Sequence, residues 1–70
     1  MERQKVKSSN IESVGYDVAS KVLEVEFKSG GSIYDYPNIE KEVYQNFISS
    51  ASKGKFFDKN LKNRPFKKIK

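Results

Sequence analysis

Val22-Leu-Glu-Val-Glu-Phe-Lys28, then Ser29-Gly-Gly31, then Ser32-Ile-Tyr-Asp-Tyr36, is the stretch that decides the fold. Leu23, Val25 and Phe27 alternate with Glu24, Glu26 and Lys28, the period of a strand buried on one side. Gly30-Gly31 suits a turn with positive φ at both central residues. Residues 32–36 then return as a second strand, ended by Pro37. A two-residue turn sets Phe27 opposite Tyr34 and Val25 opposite Tyr36, and a four-residue loop keeps the same parity.

Upstream, Val14, Tyr16 and Val18 repeat at period two. A loop at Ala19-Ser20 pairs Asp17 with Val22, Tyr16 with Leu23 and Val14 with Val25. One face then carries Val14, Tyr16, Leu23, Val25, Phe27, Tyr34 and Tyr36. The other carries Ser13, Gly15, Asp17, Val22, Glu24, Glu26, Lys28, Ile33 and Asp35. A slip of one residue would exchange the faces, and the apolar sorting argues against it. Residues 1–8 are polar apart from Met1 and Val6 and read as a tail or a ragged first strand, with 1–4 loose.

Downstream, the period changes. Ile39, Val43 and Phe47 recur at i+4 beside Tyr44, Ile48 and Ala51, which predicts an amphipathic helix over 39–51. Asn38 is its expected N-cap, and Glu40 puts a carboxylate in the first turn. Ser52 caps a second, shorter helix in which Phe57 and Leu61 share a face, ended by Arg64-Pro65. Residues 65–70 form a basic tail in which Phe66 and Ile69 can tuck back. The predicted fold is α+β: a three-stranded antiparallel meander, an amphipathic helix, a second short helix and a basic tail, all in one domain over 1–70.

Composition narrows the chemistry. The 70 residues contain neither Cys nor His, which removes disulfides, thiolate metal sites and the usual zinc ligands. No cofactor is expected. A Ser-Lys or Tyr-based site has nothing converging on it, and so small a domain has little room for a deep pocket. The expectation is a binding module rather than an enzyme. Residues 1–20 lack an apolar signal core and no run reaches membrane-spanning length, so the expectation is a cytoplasmic protein without membrane attachment.

The net charge of +5 is uneven: −1 over residues 1–35, +6 over 36–70 and +7 over 52–70 alone. Lys53, Lys55, Lys59, Lys62, Arg64, Lys67 and Lys68, with Lys70, are interleaved with Phe56, Phe57 and Phe66. Such a segment offers phosphate contacts to a nucleic acid. Lysine predominates, favouring diffuse backbone attraction over base reading. The plainer reading is a solvated helix face and a frayed tail.

Other candidates also carry two readings. Tyr34 and Tyr36 are a stacking platform or, as the register favours, core residues with hydroxyls at the rim. Asp17, Glu24, Glu26 and Asp35 make the outer sheet face acidic, which repels phosphate and leaves a solvated face or a dock for a basic protein. Ser49, Ser50, Ser52, Lys53 and Gly54 read as an anion site or, more simply, as a cap at Ser52. Ser8, Ser9 and Asn10 read as a functional loop or as side chains shaping a turn. Two further partners stay open: a protein bound through the outer face or an edge strand, and a second copy along that edge.

Ser8-Ser9-Asn10-Ile11, Gly15-Tyr16-Asp17, Leu23-x-Val25-x-Phe27 and Tyr34-x-Tyr36 resemble the KTSC domain family in order and spacing. So do Val43-Tyr44-x-x-Phe47, Ala51-Ser52-x-Gly54, Phe56-Phe57 and Leu61. The resemblance spans roughly residues 5–69. It implies a small bacterial or phage domain, found also as a C-terminal extension of some lysyl-tRNA synthetases, whose function is undetermined with RNA binding suggested. The family commonly reads Val-Pro after the central Tyr-x-Tyr. Here Pro37 follows Tyr36 directly, which bears on where the helix cap falls.

Overall fold

The computed structural model describes residues 1–70. Five strands and two helices follow in the order β1 (Gln4–Lys5), β2 (Ile11–Asp17), β3 (Val22–Phe27), β4 (Ile33–Tyr36), α1 (Lys41–Ser49), α2 (Lys53–Asn60) and β5 (Lys67–Lys68). The strands form one antiparallel sheet whose spatial order matches the chain order. Both helices cover one face, giving a two-layer α+β domain. Neither helix is long and apolar enough to cross a membrane.

The sheet has five strands, not three. The two extra strands are edges of two residues each, Gln4-Lys5 and Lys67-Lys68, exposed and polar. They carry no apolar alternation, so hydrophobic periodicity does not register them. Backbone pairing alone defines them, together with bonds just beyond their ends: Ile69 N–H donates to Ile33 O (2.7 Å) and Ile33 N–H to Lys70 O (3.0 Å). Of the two readings of residues 1–8, a ragged first strand is the one seen, at Gln4-Lys5, while the basic tail expected to fray pairs as an edge at Lys67-Lys68.

The β2–β3 register is as expected, with Asp17↔Val22, Tyr16↔Leu23 and Val14↔Val25. The β3–β4 register differs by two residues: Val25 faces Tyr34 and Leu23 faces Tyr36. The loop holds four residues, 28–31, closed by Phe27 N–H donating to Ser32 O (2.9 Å). Gly30 (φ 73°) and Gly31 (φ 65°) occupy its second half in the left-handed region, where a Cβ is penalised. Because the shift is even, every side chain keeps its face. One residue was not placed by alternation. A bulge between Ile11 and Ser13 lets Ile11 turn inward while Ser13 stays outward.

The helices start and stop differently from expectation. Asn38 is not a cap; it adopts φ 59°, a conformation Asn tolerates better than most residues. This turn after Pro37 drops Ile39 into the core ahead of the helix. There its N–H donates to Lys21 O (2.9 Å) and its carbonyl accepts from the Tyr16 hydroxyl. Glu40 becomes the N-cap, without a side-chain capping bond, and pairs with Lys21 at 3.5 Å. At the other end, the Ser49 and Ser50 hydroxyls donate to Gln45 O (2.7 Å) and Phe47 O (3.0 Å), and α1 stops two residues short of Ala51. Ser52 caps α2 as expected, accepting from Lys55 N–H at 3.4 Å. Leu61 closes α2 before Arg64-Pro65 is reached.

Ile11, Val14, Leu23, Val25, Tyr36, Ile39, Phe47, Phe57 and Leu61 form the continuous core. Beside it runs a closed circuit of aromatic rings: Phe27–Phe57 (5.3 Å), Phe57–Tyr36 (5.5 Å), Tyr36–Phe66 (5.9 Å), Phe66–Tyr34 (5.2 Å) and Tyr34–Phe27 (5.7 Å). Edge-to-face and tilted geometries of this kind are favourable beyond the area they bury.

Candidate nucleic-acid interface

Two motifs far apart in sequence meet in space. The Ser8-Ser9-Asn10 turn before β2 sits against the first turn of α2. The contact is close at Gly54, where a Cβ would stand 2.8 Å from Asn10 Oδ1. Gly54 is therefore explained by proximity, not by backbone conformation. Ser8 Oγ donates to Asn10 Oδ1 (3.1 Å) and accepts from Ile11 N–H (3.3 Å), so the turn is built by its own side chains.

Between them lies an open groove of about 710 Å³, lined by Lys7, Ser8, Ser9 and Lys28 on one side and residues 51–54 on the other. Three lysines from three separate segments border it, with no carboxylate. Lys53 Nζ also donates to Ser50 O (3.3 Å). Hydroxyls and ammonium groups together suit an anion.

Beyond the groove, α2 and the segment after it carry further cations. Lys55 and Lys59 are exposed one turn apart. Lys62 follows in the turn beyond, its N–H bonded to Phe57 O (2.9 Å). Arg64 Nε donates to Asn60 O (3.1 Å). Lys68 faces Tyr34 across the β4–β5 ladder, on the helix side of the sheet. Lys67 departs from the rest: strand alternation turns it to the outer face, opposite Asp35. Ion pairs involve only Arg3 and Lys21 among the bases, so none of these C-terminal cations is neutralised by a carboxylate.

Lys7 and Lys28 were missed by sequence reasoning. Each is a single charge at a strand end, and only the contact of Asn10 with Gly54 brings them beside Lys53. No local pattern announces such a convergence.

Tyr36 belongs to the core, 4% exposed, and burial, with Tyr34 nearby, pushes its hydroxyl up to about 12. Tyr34 is half-buried against Phe27 and Phe66. Tyr16 and Tyr44 stack at 4.7 Å, and burial raises the Tyr44 hydroxyl too. The tyrosine pair on β4 is thus chiefly structural, as the register suggested.

The outer face is less acidic than its sequence implies. A single row crosses the sheet there: Arg3, Gly15, Glu24, Asp35, Lys67. Arg3 reaches over Gly15 to pair with Glu24, donates through Nε to Ser13 Oγ (3.0 Å), and lies 3.9 Å from Glu26. Ser13 Oγ in turn donates to Glu26 Oε1 (2.7 Å). Burial opposes ionisation of Glu24, yet hydrogen bonds from Asp35 and Arg3 hold it below the usual carboxylate range. Asp35 bears the consequence. Burial first, then the facing Glu24, raises it to about 6, with Lys67 pulling the other way. Its Oδ1 is buried without a hydrogen-bond partner, which adds to the cost of ionising it.

The chain is similar to known proteins over most of its length. An uncharacterized protein of Stutzerimonas stutzeri is 36% identical over 67 residues, covering 96% of this chain and 93% of that protein. A protein of Tsukamurella paurometabola is 38% identical over 61 residues, covering 87% and 90%. The crystal structure of a KTSC domain protein from Yersinia pestis superposes with a TM-score of 0.93 at 41% identity, over 99% of this chain and 97% of that one. The KTSC domain model itself matches residues 7–66. With sequence and fold in agreement over nearly its whole length, the chain belongs to the KTSC domain family.

Proposed function

We propose that this chain is a non-catalytic module that binds RNA in the cytoplasm, holding phosphates in the groove and along α2. Lys53, Lys55, Lys59, Lys62, Arg64 and Lys68 make the contacts, joined by Lys7 and Lys28. The carrying observation is the carboxylate-free groove bordered by Lys7, Lys28 and Lys53, with further cations on and beyond α2 that no ion pair consumes. Lys67 contributes least, since it faces Asp35 on the opposite side of the sheet. A basic protein docked on the outer face is the weaker reading, because Arg3 of the same chain already pairs with Glu24 and Glu26 there.

Titration of labelled tRNA and single-stranded oligonucleotides at several salt concentrations tests this. Eight phosphate contacts on a single strand give a log–log salt slope of about −6. Lys28→Gln and Lys53→Gln should each weaken binding for all sequences and reduce that slope by roughly one contact. No binding at about 50 mM salt, where counterion release is most favourable, would sink the proposal.

A further inference from the structure

The RNA-binding reading leaves the exposed ring of Phe66 unexplained. Phe66 is 55% exposed, although its ring leans on Tyr34 (5.2 Å) and Tyr36 (5.9 Å). A lone apolar side chain at a surface means little. This ring is different in two ways. It is the outermost member of the aromatic circuit, so rings from β4 support it and hold it in place. It also stands among cations: Lys68 is two residues on and on the same side of β5 by alternation, Arg64 is two residues back, and no acid occurs after Asp58. α2, whose eight residues rise about 12 Å, links the lysine groove at its start to this ring beyond its end.

We propose that Phe66 is a stacking site for one unpaired base of a single-stranded RNA whose phosphates follow the lysines of α2. The inference rests on the RNA-binding reading and adds strand state to it. Phosphate contacts alone treat single strands and duplexes alike. A supported ring flanked by cations selects a strand whose base is free to leave its neighbours. The charge around Phe66 favours nucleic acid over an apolar protein surface, because Lys68 and Arg64 would lose hydration there without gaining a partner.

The test compares a single-stranded oligouridylate of about 12 nucleotides with an RNA duplex of the same length. Phe66→Leu keeps apolar contact with Tyr34 and Tyr36 but removes the ring. It should weaken single-strand binding by about fivefold or more, leave the salt slope unchanged and leave duplex binding unchanged. Phe66→Tyr should bind like the wild type. In the wild-type protein, the Phe66 ring resonances should shift on adding the oligouridylate, while those of buried Phe57 should not. Equal loss on single strand and duplex, or undiminished single-strand affinity, overturns the stacking site while RNA binding stands. A wild-type protein that binds neither RNA overturns both.

Discussion

Gly15→Ala gives a sharp test of how the first strand is held. A Cβ at position 15 would stand 2.6 Å from the Glu2 carbonyl oxygen and 3.1 Å from Arg3 Cγ. The first contact is with backbone, so β1 must retreat by at least about 0.4 Å before the distance becomes tolerable. Arg3 crosses at this point to reach Glu24 and Ser13, so its bonds loosen with the strand. Overpacking of this kind costs about 1–3 kcal/mol. A Gly→Ala change without strain would instead stabilise by about 0.4–1 kcal/mol through the unfolded chain. The net expectation is a loss of about 1–2 kcal/mol, which at a slope of about 1 kcal/mol per molar lowers the urea midpoint by roughly 1–2 M. In an Arg3→Ala background the loss should be smaller, since part of what the methyl disrupts is already gone. Urea unfolding of the four proteins at neutral pH provides the cycle. A Gly15→Ala protein as stable as its parent would refute the reasoning, and full additivity would refute the role given to Arg3.

The Asp35–Glu24 pair predicts a pH dependence. Asp35 is raised to about 6 in the fold from an ordinary 3.8, so between about pH 4 and 6 the folded chain holds a proton that the unfolded chain releases. Its stabilisation is complete below that window and is lost as pH rises through 6. Asp35→Asn should flatten this fall and gain stability relative to wild type above pH 6. Parallel pH profiles of thermal midpoints would count against it. Ser52→Ala removes the α2 cap; given the long 3.4 Å bond, it should cost about 0.5–1 kcal/mol, measured by urea unfolding, and no loss would mean the cap is idle.

The centre of the sheet was readable from its sequence because Leu23, Val25 and Phe27 impose a side, and a side is all that parity needs. The β3–β4 offset of two shows the limit: parity survives while spacing depends on whether Gly30-Gly31 is a whole loop or half of one. Ile11 lay beyond reach because a bulge breaks the alternation on which the reading depends. Asn38 looked like a cap by residue type, yet Ile39 gains more from the core and from Lys21 O than from a place in α1. The basic segment was legible as charge. Its division was not, because only pairing with β4 reveals that Lys67 and Lys68 point opposite ways. The groove was least legible of all, since it arises where residues 7–10 and 51–54 touch.

The strand order has a kinetic consequence. β1 to β4 are each joined to the next by a short connection, so the meander closes on itself at little loop-closure entropy. Only the β4–β5 pairing spans a long interval, one that contains both helices. The expected order is that β5 docks after α1 and α2 have settled on the sheet, bringing Phe66 and Lys68 with it. A chain that has collapsed but not yet paired its last strand has a core and a lysine-lined groove, but no supported ring. In refolding experiments, competence to discriminate single strands should then appear later than helix content, with the slowest phase of folding.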